Sequence, residues 1–115
     1  MAIRYQETLD RTFHALGDGT RRRMLRMLAQ RGECTASELG APVDAAQPTI
    51  SKHLRVLEQA GLVSRHVSGR VHRFRLAVAP LNEASEWIAK HRRFWEHSLD
   101  ALGEVLDELP TDESS

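Results

Sequence analysis

Six of the nine residues from Gln47 to Arg55 carry hydrogen-bonding or cationic side chains: Gln47, Thr49, Ser51, Lys52, His53 and Arg55. Glutamine can pair bidentately with adenine, hydroxyls donate or accept, and Lys or Arg meets guanine or phosphate. A second cationic group follows at Arg65, Arg70 and His72, with Arg73 and Arg75 beside them. Both groups suit a polyanion whose edges can be read. Catalytic arrangements are missing: the sequence has no Gly-rich phosphate loop, no nucleophile elbow, no His-Glu-x-x-His and no paired carboxylates in a recognisable setting. It predicts neither an enzyme nor a cofactor.

The 115 residues carry a net charge of zero, which by itself argues against a nucleic-acid partner. The distribution reverses that reading. Gln47 to Arg75 holds six Lys or Arg, three His and one acid, Glu58, whereas Glu96 to Ser115 holds seven acids and neither Lys nor Arg. A basic working surface with an acidic far end is the footprint of a DNA binder. With 41% hydrophobic and 28% charged residues, the composition is that of a soluble globular chain, one domain with an added dimerisation element. No apolar run approaches the ~18 residues of a membrane span, and the N-terminal residues lack a signal-peptide core. A single cysteine, Cys34, allows no internal disulfide, so the expected location is the cytoplasm.

The elements that carry these groups follow from periodicity. Leu9, Phe13 and Leu16 give a short amphipathic helix over 5–16, ended by Gly17. Asp18 caps a second helix over 20–30 with Met24, Leu25 and Leu28 inward, closed by Gly32. Thr35 and Glu38 have capping-box spacing for a short third helix over 35–39. Ile50, Leu54 and Leu57 form the buried stripe of a fourth helix over 47–59, leaving the polar row outward. Ala46 is a poor cap for it, so its start leans on tertiary contacts or phosphate. Two β-prone runs, 62–67 and 71–77, flank Ser68-Gly69-Arg70 as a hairpin. Pro80 opens a long helix to Leu109, in which Leu81, Ile88, Trp95, Leu102 and Leu109 recur every seventh residue. Such a helix is about 43 Å long, more than a small core can cover, and a second copy is the simplest partner for its apolar face. Residues 110–115 are expected to be a disordered acidic tail. The class is mainly α with a small β-hairpin, a winged helix-turn-helix in the order α-α-α-α-β-β-α.

Three stretches in the right order, FHALGDGTRRRMLRML, AQPTISKHLRVLEQAGLV and the wing RHVSGRVHRFRL, resemble the ArsR/SmtB family of winged-helix repressors over residues 9–107. Gly19 stands where that family usually has proline. The stretch WIAKHRRFWEHSLDAL is similar to a branch in which metal ligands are often absent. The resemblance implies a homodimer formed through the first and last helices, with Leu9, Phe13, Ile88, His91, Trp95, Leu99, Leu102 and Leu106 at the interface. It also implies a pseudo-palindromic DNA operator, often at the chain's own promoter, and release by an effector.

The family's metal ligands are largely replaced in this sequence. The family's third-helix site uses Cys-x-Cys, and Thr35 and Ser37 occupy those positions here, with Cys34 one place earlier. A lone thiolate cannot complete a tetrahedral site. The last-helix site is reduced to Glu86, His97 and Asp100, with Ala84 where its first ligand belongs. The expected effector is therefore a small organic molecule near Trp87, Phe94 and Trp95, or none. Two alternatives stand beside a metal-independent repressor. One is a zinc-type repressor with a degenerate site, the other a winged helix used only for protein contact.

Overall fold

The computed structural model describes residues 2–110, with side chains from Gln6 onward. The elements run α1 (Ala2–Leu16), α2 (Gly19–Arg31), β1 (Cys34–Thr35), α3 (Ala36–Gly40), α4 (Gln47–Gln59), β2 (Val63–Ser68), β3 (Val71–Leu76) and α5 (Ala79–Glu108). Apart from β1, the winged helix-turn-helix order is the expected one. Of the expected acidic tail, 110–115, all residues beyond Pro110 lie outside the described residues.

Local chemistry accounts for the helix ends. Asp18 accepts the backbone N–H of Arg21 at 3.1 Å, and α2 closes where Gly32 N–H donates to Leu28 carbonyl at 2.8 Å. At α3 the capping box is complete: Glu38 N–H donates to Thr35 Oγ1 at 3.2 Å, and Thr35 N–H donates to Glu38 Oε1 at 2.9 Å. Helix α4 has no side-chain cap at Ala46 and carries Pro48 in its first turn, where a missing N–H costs nothing. Helix α1 begins three residues earlier than periodicity predicts.

The wing differs from expectation in one respect. Rather than a two-stranded hairpin, the sheet has three antiparallel strands in the order β1-β3-β2. Cys34 and Thr35 pair with Phe74 and Arg73, adding an edge strand too short to show alternation. On the other side of β3, pairing runs from Val63–Leu76 to Ser68–Val71. The loop is thus Gly69-Arg70, with Gly69 at φ +62°, a conformation that a two-residue hairpin loop assigns to glycine.

The chain divides into two compact units, one reaching to Ala84 and one from Ser85. In the first, Met24, Leu28, Leu39, Ile50, Leu54, Leu57, Leu62 and Phe74 form one buried cluster from α2, α3, α4 and the wing. Each such side chain stabilises the fold by about 1.5–3 kcal/mol. Gly40 lets α3 approach α4, since a Cβ there would meet Ile50 Cγ2 at 3.1 Å. The second unit is the remainder of α5. Along it Phe94, Trp95, Leu99, Leu102, Val105 and Leu106 are exposed in the single chain.

Candidate nucleic-acid interface

The buried stripe of α4 decides what the helix shows outward. With Ile50, Leu54 and Leu57 in the core, Gln47, Thr49, Ser51, Lys52 and Arg55 are all exposed. His53 is not. Its side chain is only 16% exposed and lies against α2, where Arg21 Nη1 is 3.3 Å from its Nδ1 and Asp18 Oδ1 is 3.9 Å away.

Between α4 and the wing lies a concave groove of about 550 Å³. Leu54 and Phe74 floor it, Ser51 and Arg55 line the helix side, Arg65, Arg70 and His72 line the wing side, and Thr35 and Ser37 close one end. Its cations are not equivalent. Arg65 is ion-paired to Glu58, its guanidinium carbon sits 5.2 Å from the Phe74 ring centroid, and its Nη1 is 3.3 Å from His72 Nδ1. Arg55 and Arg70 are exposed, and no carboxylate salt bridge to either occurs among the described residues.

Two of the three arginines at the start of α2 have a role that spacing alone does not announce. Arg21 donates from Nε to Ala15 carbonyl at 2.8 Å and from Nη2 to His14 carbonyl at 3.0 Å. Arg22 Nη1 donates to Leu16 carbonyl at 2.6 Å. They satisfy the last carbonyls of α1, which have no partner within their own helix. Arg23 is exposed.

The backbone N–H of Arg21 holds the Asp18 carboxyl below the usual carboxylate range, helped by the charge of Arg21 and opposed by partial burial. A carboxylate depressed on folding stabilises the fold above about pH 4, and that contribution disappears as pH falls through its lowered value. The Asp18→Asn variant keeps a good capping residue but has nothing to titrate. Thermal melts followed by circular dichroism between about pH 6 and pH 3 should therefore show a shallower fall in Tm for Asp18→Asn than for the parent. Parallel curves would mean that the carboxylate contributes nothing.

The residues here do not fit the thiolate metal site. Thr35 Oγ1 is engaged in capping α3, Ser37 supplies only a hydroxyl, and burial raises the pKa of the neighbouring Cys34 thiol. Glu86 and His97 are roughly 16 Å apart along α5, so they cannot share an ion within one chain, although His97 and Asp100 are neighbours on it. Among the described residues no three His, Cys, Asp or Glu side chains converge.

Of the expected interface residues, Ile88, Trp95, Leu99, Leu102 and Leu106 are exposed, and Phe13 is at the edge of exposure. His91 stacks on Trp87 with ring centroids 4.4 Å apart, and its Nδ1 is 2.8 Å from Trp87 carbonyl, so it donates there. Leu9 is already buried at 6% exposure and has almost no surface left for a partner.

A family model described as a helix-turn-helix domain matches residues 16–66. The chain is 31% identical over 80 residues to the transcriptional repressor SdpR of Bacillus subtilis, covering 70% of this chain and 88% of that protein. It is 32% identical over 98 residues to the HTH-type transcriptional regulator Rv2034 of Mycobacterium tuberculosis, covering 85% and 88%. A crystal structure of an ArsR family transcriptional regulator matches with a TM-score of 0.74 at 38% identity, covering 79% of this chain and 93% of that one.

Proposed function

The chain belongs to the ArsR family of helix-turn-helix transcriptional regulators, and we propose that it represses as a homodimer on a pseudo-palindromic operator, without a metal. The family consists of DNA-binding regulators rather than enzymes. The observation that carries the finer reading is the groove between α4 and the wing. A major groove about 12 Å wide admits one α-helix, and a wing reaching the next groove straddles the intervening phosphate strand. The groove walled by Arg55 and Arg70 suits that strand. Gln47, Thr49, Ser51 and Lys52 then meet base edges, and Arg65 and His72 hold the wing's inner side.

The dimer reading is supported by the exposed apolar residues of α5, and Phe13 of α1 is assigned to the same proposed interface. The metal-independent reading is supported by the donor set, since hydroxyls stand where the family places thiolates. Any effector is then an organic molecule near Trp87, Phe94 and Trp95, of which the last two meet edge to face with centroids 5.5 Å apart. No helix among the described residues is long and apolar enough to cross a membrane, which supports the proposed cytoplasmic location. The outward face of α4 is polar rather than apolar, which favours DNA over a protein partner.

Fluorescence anisotropy on DNA upstream of the chain's own gene, at several salt concentrations and with zinc or a chelator added, tests this reading. The expected result is tight, sequence-dependent, salt-sensitive binding indifferent to both additions. Release by zinc would replace it with a metal-responsive repressor using Glu86, His97 and Asp100. Binding no stronger than to unrelated DNA at low salt would refute autoregulation at that promoter.

A further inference from the structure

His53 lies on the DNA-facing helix with its ring turned inward. Arginine has only donors, so the 3.3 Å contact from Arg21 Nη1 requires His53 Nδ1 to accept, which puts the ring proton on Nε2. The same guanidinium holds the Ala15 and His14 carbonyls, and the backbone N–H of Arg21 is held by Asp18. One planar group thus joins the end of α1, the start of α2 and the middle of α4.

We infer that Arg21 and His53 are a positioning pair that fixes the rotation of α4 about its axis and ties it to α1, and that His53 does not read DNA. The inference rests on the reading that α4 enters the major groove. Side-chain tips lie roughly 6 Å from a helix axis, so a turn of about 20° moves them about 2 Å. That exceeds the distance tolerance of a hydrogen bond to a base edge. The apolar stripe resists gross rotation, but leucines slide more readily than a charged, planar, directional contact. A displacement of α1 is carried by this pair to the residues that face the groove.

The test uses the full chain and the duplex it enriches from a random-sequence pool. Affinities are measured by anisotropy for the parent, His53→Leu, His53→Gln, Arg21→Gln and the Arg21→Gln/His53→Leu double variant, alongside melting temperatures. His53→Leu should weaken binding roughly tenfold, to a similar degree across single-base-pair variants of the duplex. The slope of log affinity against log salt should stay unchanged, because no phosphate contact is lost. His53→Gln, whose amide oxygen can accept from Arg21, should recover most of the affinity, and the double variant should bind no worse than the weaker single one.

Additive losses, or a change of preference confined to one base pair, would make His53 a direct reader and overturn the inference. A lowered Tm with unchanged affinity would reduce the pair to a stabilising contact and overturn it equally. Arg21 also caps α1, so if Arg21→Gln does not fold, His53→Leu against His53→Gln decides the matter. A parent chain that enriches no duplex would instead sink the DNA-binding reading, and the inference with it.

Discussion

Leu102→Glu should separate the protein into monomers and lower its operator affinity by about 10²- to 10⁴-fold, the advantage that joining two binding modules confers when geometry lets both engage. Leu102 is exposed in the single chain, on a helix that also exposes Ile88, Trp95, Leu99 and Leu106. A second copy would remove this surface from water, at about 1.5–3 kcal/mol for each fully buried side chain. A carboxylate in that seam has no cationic partner nearby in sequence, because no Lys or Arg follows Arg93. Sedimentation equilibrium gives the mass and anisotropy the affinity. A dimer of unchanged mass and affinity would place the interface elsewhere. A monomer that binds as tightly as the parent would show that each half-site acts alone.

The second large effect is expected at the groove. Replacing Arg55 and Arg70 together by alanine should reduce affinity for every duplex alike. It should also lower the slope of log affinity against log salt by about 1.8, since each phosphate contact contributes about 0.9. Sequence preference should survive, because the exposed Gln47, Thr49, Ser51 and Lys52 are untouched. Arg65→Ala is the informative contrast. Its charge is already engaged by Glu58, so it should change the salt slope much less while loosening the wing against α4. Equal slopes for the double variant and the parent would remove both arginines from the phosphate path.

The contrast between Arg65 and Arg70 shows where sequence reading stops. Both are wing cations, and nothing in composition separates them. Only the fold brings Glu58, seven residues upstream at the end of α4, to one of them. Periodicity located α4 to the residue, because Ile50, Leu54 and Leu57 repeat cleanly and Gly61 ends the run. The same pattern groups His53 with the outward polar row and does not show its ring turning toward Arg21. A guanidinium reaching back six or seven residues to the carbonyls of a preceding helix has no pattern that sequence spacing displays. The caps at Asp18 and Thr35 were legible because capping is local: three residues separate donor and acceptor. Strand β1 was not, since two residues carry no alternation and its partners lie some forty positions away, at Arg73 and Phe74.

That short strand also divides the wing mechanically. At Arg73 and Phe74 the central strand has neighbours on both sides, and the Phe74 side chain is in the core. At Val71 and His72 it has β2 alone, and beyond them stands the Gly69-Arg70 loop. The ribbon is therefore paired on both sides at its root and on one side only toward its tip, in the manner of a cantilever. Minor grooves differ in width with base composition, and if the wing enters one, as the proposed binding mode allows, a tip with one neighbouring strand would adapt to that width at less cost to the packed end. On the proposed reading, operators that differ in shape would be met by the end of the wing held on one side only, and those that differ in major-groove sequence by a helix seated in the core.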